Sequence, residues 1–118
     1  MTNDEYPDFI RSLPRASIPF QDVQAWLGQG TDFQIVFFEI PAGAEIPPHS
    51  HGAQFGVVLT GEMSLMIDGR THRYTRGDTY YIPEGVVHSG KFHTFVRVID
   101  IFADSDRYQA LNSTSKTV

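Results

Sequence analysis

The stretch PPHSHGAQ, residues 47–54, sets His49 and His51 one residue apart behind two prolines, with Gln54 three positions later. In an extended chain residues i and i+2 point to the same side, with Cα atoms roughly 6–7 Å apart. Two imidazoles aimed alike at that spacing can share one metal ion at ~2 Å per bond. Gln54 is out of phase with that alternation, and Gly52 gives the chain a place to bend and bring the amide oxygen round. That oxygen can ligate the ion directly or hydrogen-bond a metal-bound water. Pro47 and Pro48 stiffen the approach and lower the entropy lost in fixing the ligands. A third nitrogen has to come from elsewhere in the chain. The candidate is His88, in GDTYYIPEGVVHSGKF (residues 77–92), where it follows a Pro-x-Gly turn and opens an expected strand.

A carboxylate is the other conspicuous group. Asp100 interrupts the apolar run VIDIF, and burying a charge there is costly unless it is paired or used. Val96, Val98, Asp100 and Phe102 share one face of the expected last strand, and alternation continued from His88 turns that face inward. Beside a metal, such a carboxylate can act as general acid or base. The alternative is a strand-edge aspartate paired with Arg97, Arg107 or a partner subunit.

Short strands must position these groups. Residues 31–40, TDFQIVFFEI, are rich in aromatic and β-branched side chains and close at Pro41. FGVVLT follows, then EMSLMID, in which Met63, Leu65 and Ile67 alternate with a mostly polar set. Asp68-Gly69 is a type I′ hairpin signal, because both turn positions favour positive φ. Gly61, Gly69, Gly77 and Gly85 stand eight residues apart, which favours an all-β barrel or sandwich hinged at even spacing. Helical periodicity is confined to one turn in DRYQAL. Residues 1–17 read as a polar arm broken by Pro7 and Pro14, residues 18–103 as the body, and residues 104–118 as a polar tail.

Composition excludes several functions. At 118 residues the chain is expected to be one domain with a real core. The net charge of −5, without a basic block, argues against nucleic acid or an anionic membrane as partner, leaving a small molecule. With no cysteine, disulfides, thiolate metal sites and cysteine nucleophiles are ruled out. No stretch approaches the ~20 apolar residues of a membrane span. MTNDEYPDF is acidic where a secretory signal is basic and then apolar, so a cytoplasmic location is expected.

Taken together, the two histidine clusters resemble the paired motifs of the cupin superfamily. The first motif, glycine, five residues and His-x-His, is matched by Gly43, His49 and His51. Gln54 occupies the usual glutamate place, seven before Gly61. The second is matched by Gly77, Pro83, Gly85 and His88, with Phe92 where the family closes on asparagine. The resemblance covers residues 43–92 and implies an antiparallel jelly-roll β-barrel with little helix. It also implies one divalent metal held by His49, His51, Gln54 and His88. A neutral amide in place of a carboxylate leaves the ion its full charge. Zinc, nickel, iron, manganese or copper suit that shell better than magnesium. Because cupins tend to bury the face that His72 shares with Tyr74, His72 is expected as a hydrogen-bonded core histidine. His93 is expected at the surface or an interface. A homodimer is also implied, with residues 18–27 (IPFQDVQAWL) packing on or crossing to a second subunit and the aromatics of residues 20–38 needing cover.

The string Q-x-G-x-V-L-x-G from Gln54 to Gly61, with Asp100-x-Phe102 and a later Arg107, is similar to the pectin-degradation cupins that open unsaturated uronate rings. That likeness implies catalytic roles for Asp100 and Arg107. The expected function is a metal-dependent enzyme acting on a small oxygenated anion such as a sugar acid, by tautomerisation or ring opening. The alternatives are an iron-dependent dioxygenase and a non-catalytic small-ligand sensor.

Overall fold

A computed structural model describes residues 5–111. The first four residues of the expected arm and the last seven of the expected tail lie outside the described residues. Among the described residues nine strands form two wholly antiparallel sheets. The five-stranded sheet runs β1 (Gln24–Gln29), β2 (Gln34–Ile40), β9 (Val96–Phe102), β4 (Gln54–Thr60) and β7 (Thr79–Ile82). The four-stranded sheet runs β3 (Glu45–His49), β8 (His88–Phe92), β5 (Met63–Ile67) and β6 (Arg70–Tyr74). Consecutive strands repeatedly cross between sheets, which makes a jelly-roll barrel of the kind expected. The only helix among the described residues is a four-residue turn, α1 (Asp8–Arg11). Among the described residues no helix is long and apolar enough to cross a membrane.

Period-two burial builds the core. In β9, Val96, Val98, Asp100 and Phe102 are buried, while Arg97, Ile99 and Ile101 are not. Val36, Phe38 and Ile40 of β2, Val58 of β4 and Ile82 of β7 face the same interior, met from the opposing sheet by Met63, Leu65 and Phe92. The Asp68–Gly69 turn has φ of 52° and 80°, matching the expected I′ geometry. The glycines spaced by eight all have positive φ.

Within the chain, β1 pairs along its full length with β2, and Ile18, Pro19, Phe20 and Val23 line the cavity. Trp26 is buried between the guanidinium groups of Arg11 and Arg15, 5.2 and 5.1 Å from its ring centroid, and the edge of Tyr6. Tyr6 also packs on Phe37 and donates its hydroxyl to the Phe38 carbonyl at 2.9 Å. The arm therefore packs over Trp26 and Phe37, while Phe33 stays exposed. Beneath it, Arg97 donates to Glu39 at 2.9 Å in a pair that water scarcely reaches.

His72 is a correction. It sits opposite the buried Leu65, on the inward side of its sheet, yet it is exposed. Its strand, β6, is the outer edge of the four-stranded sheet, where Tyr74 still packs on Tyr80 but His72 is left open to water. His72 touches Tyr74 at a ring separation of 6.3 Å and plays no core role. His93 is exposed as expected, and its Nε2 lies 2.7 Å from the Ser64 hydroxyl.

Candidate metal centre

Strand register brings the histidines together. His49 ends β3 and His88 opens β8, and the two are direct cross-strand partners. Pro47 and Pro48 carry no N–H to donate to a ladder, and the β3–β8 register slips between Ile46 and His49. The chain then turns, placing His51 against both rings. The centroid separations are 4.3 Å for His49–His88, 5.1 Å for His49–His51 and 4.8 Å for His51–His88. One potential ligand atom from each lies within 4.8 Å of the other two.

Hydrogen bonding then selects the nitrogen that each ring presents. His49 Nδ1 lies 2.9 Å from the Pro47 carbonyl, His88 Nδ1 2.9 Å from that of Val86, and His51 Nδ1 2.8 Å from that of Gly52. A carbonyl oxygen can only accept, so each Nδ1 holds a proton and Nε2 is the nitrogen each ring can present. Carbonyl-anchored imidazoles of this kind are a common outer support for metal ligands. His51 Nε2 is buried and has no hydrogen-bond partner. Burial lowers the His51 pKa to about 4, with Arg107 and the other two histidines adding to the effect against the Gly52 bond. The His88 pKa is also lowered, first by burial. Both rings are thus neutral at neutral pH, the form that ligates metal.

Gln54, the first residue of β4, is buried on the same cavity wall, paired in register with Phe102 and Ile82. Its side chain hydrogen-bonds Asp100 in a way that stabilises the carboxylate. Only the amide nitrogen can do so, which turns Oε1 away from Asp100. Oε1 is buried without a partner. Three imidazoles presenting Nε2 and one orphaned amide oxygen are a donor set that fits a divalent transition metal.

Asp100 lies inward on β9 and lines the same cavity. Tyr80 donates its hydroxyl to Asp100 Oδ1 at 2.7 Å, reaching across the intervening strand β4. Gly56 makes that reach possible. It is the register partner of both Asp100 and Tyr80, and a Cβ there would collide with the Tyr80 ring and with Asp100 Oδ1. Burial pushes the Asp100 pKa up from 3.8 to about 6, against the bonds from Gln54 and Tyr80. Arg97, one of the partners considered for Asp100, pairs with Glu39 instead.

Arg107 borders the cavity from the segment after β9. Its guanidinium carbon stands 4.7 Å from the Tyr108 ring centroid and 5.9 Å from that of Phe102, and its Nε is buried without a partner. The buried Gln34 holds this segment: it donates to the Tyr108 carbonyl at 2.9 Å and accepts from the Tyr108 N–H at 2.9 Å. Asp104 pins the metal-side loop by accepting from the Gly52 N–H at 2.9 Å. Tyr80, Gly56, Gln34 and Asp104 support the site without standing out in the sequence. Of these only Gly56, a glycine inside a strand-like run, carried a local signal of close approach.

A family model described as the cupin domain matches residues 36–102, from within β2 to the end of β9. The chain is a cupin. Solved cupins share its fold. An RmlC-like cupin from Shewanella frigidimarina superposes with a TM-score of 0.72 at 24% identity, over 80% of this chain and 86% of the other. KdgF from a Halomonas species gives 0.66 at 24% identity, over 74% and 83%. Salicylate 1,2-dioxygenase from Pseudoaminobacter salicylatoxidans, solved with gentisate, gives 0.66 at 18% identity, over 74% of this cupin and 26% of the dioxygenase. No curated protein sequence matches. At these identities the likeness establishes the fold, and the chemistry has to be argued from the site itself.

Proposed function

We propose that this cupin is a metal-dependent enzyme that moves a proton on a small anionic, oxygenated metabolite. One observation carries the reading. A buried carboxylate, Asp100, is held by Tyr80 in the cavity that also contains the three clustered histidines and the unpaired Arg107 Nε. His49, His51, His88 and the Gln54 oxygen would hold the metal, which supplies Lewis acidity toward a bound oxygen. Arg107 has no ion pair among the described residues and suits a substrate carboxylate. Asp100 takes or returns the proton, with Tyr80 fixing the direction in which its oxygen faces.

Zinc, nickel, iron, manganese and copper are the candidate ions. The residue match to the uronate ring-opening cupins supports tautomerisation or ring opening, and brings in sugar acids as a substrate class. Chelation should abolish turnover and one of these ions restore it, while Asp100→Ala should keep the metal and lose turnover. Activity retained in fully stripped protein sinks the reading. A dioxygenase is the second reading, favoured by three imidazoles that leave an ion open positions. Oxygen consumption with iron but not with zinc would select it. Ligand-induced stabilisation that survives Asp100→Ala, with no product under any metal, would select a binding module.

A further inference from the structure

The cavity of about 290 Å³ is chemically divided along the strands. At one end stand His49, His51, His88, Gln54 and Arg107, with Asp100 and Tyr80 in the next layer along the five-stranded sheet. Further along β9 and β8, away from the histidines, the inward positions turn wholly apolar. Phe38, Ile40, Ile46, Leu65, Phe92 and Val98 form that wall. Of the other polar lining residues, Glu45 and Ser50 are exposed, Ser89 alternates with the buried His88 and Gly90, and the Tyr108 ring packs on Phe38. The wall strands are paired in ladders, so a ligand hydroxyl there has no partner beyond the Tyr108 hydroxyl. Gly90 keeps the space open: a Cβ on it would come within 3.3 Å of Leu65 and 3.5 Å of Phe92.

We infer that the substrate is an amphipathic acid. A single carboxylate-and-oxo (or enol) head sits at the histidines and Arg107, and an aromatic or branched aliphatic body lies against Phe38, Leu65 and Phe92. This rests on the proposed function and narrows its substrate class. A sugar acid presented head-first would bring several hydroxyls against the apolar wall, most of them losing their water without replacement. An apolar body instead removes the wall from water and gains affinity with every buried carbon.

Calorimetry on the metal-loaded full chain tests this with four named acids. Phenylpyruvate and 4-methyl-2-oxopentanoate carry the head and an apolar body, pyruvate carries the head alone, and D-galacturonate carries the head with hydroxyls. The first two should bind at least about ten-fold more tightly than pyruvate and galacturonate. Gly90→Ala should weaken phenylpyruvate several-fold and pyruvate much less, with metal content unchanged. If galacturonate or pyruvate binds as well as phenylpyruvate, the amphipathic substrate is overturned and the proposed function stands. If none of the four binds to protein shown to carry metal, both are overturned.

Discussion

Replacing Asp100 by asparagine separates the burden of burying this carboxylate from its use. Burial pushes the pKa of the folded group from 3.8 up to about 6, and the bonds from Gln54 and Tyr80 only partly offset that. As pH rises through the lower value, the unfolded chain releases its proton while the folded chain keeps one. The folded state then binds more protons, so stability falls with rising pH until the folded group ionises. Roughly two pKa units at 1.36 kcal/mol each amount to about 3 kcal/mol lost between about pH 4 and pH 7. Asparagine does not ionise, and its oxygen still accepts from Tyr80. Its amide nitrogen faces that of Gln54, which must turn over or forgo its bond at a cost of about 1–2 kcal/mol. In chelator-treated protein Asp100→Asn is therefore expected to be more stable than the wild type by about 1–2 kcal/mol above pH 7, and less stable near pH 4. Urea unfolding followed by Trp26 fluorescence across this range reads the difference, and histidine titrations common to both proteins cancel. A difference that stays constant with pH, or grows in the wild type's favour as pH rises, refutes the reasoning. A stabilised variant that no longer turns over would mark the carboxylate as kept for chemistry at the expense of stability.

Gly56→Ala should keep the fold but displace Tyr80 from Asp100, lowering kcat by at least ten-fold, with metal content unchanged by elemental analysis. His88→Ala should end metal uptake. In the wild type, free metal at about 100 times its Kd should raise the unfolding free energy by about 2.7 kcal/mol, a gain absent in the variant. Arg97→Ala leaves Glu39 covered with only Arg11 beside it at 3.9 Å, so denaturant melts should show a loss of about 2 kcal/mol. Arg73→Ala removes the exposed pair with Glu62 and should cost under about 1 kcal/mol by the same measurement.

What was legible in the sequence was what depends on neighbours along the chain. His49 and His51 share a side because they are two apart, and His88 is aimed by its own turn, since its Nδ1 binds the carbonyl two residues back. Asp100 was legible because its strand alternates cleanly. Tyr80 was not: in TYYI, either Tyr80 or Tyr81 could face inward. The register of β7 on β4 decides it, by setting Tyr80 opposite Gly56 and leaving Tyr81 exposed. Strand order likewise decides His72, whose inward direction was read correctly and whose burial was not. Leu65, its cross-strand partner, is buried on an inner strand, whereas His72 on the edge strand is left open to water. The aromatics near Trp26 turned on one tyrosine in a polar arm, because Tyr6 anchors that arm through a carbonyl 32 residues away. Arg107 has the same kind of dependence, reaching the cavity through the two bonds between Gln34 and Tyr108. The metal ligands and the carboxylate could thus be found from local rules. The groups that orient them act between strands distant in sequence, and register is what puts those strands together.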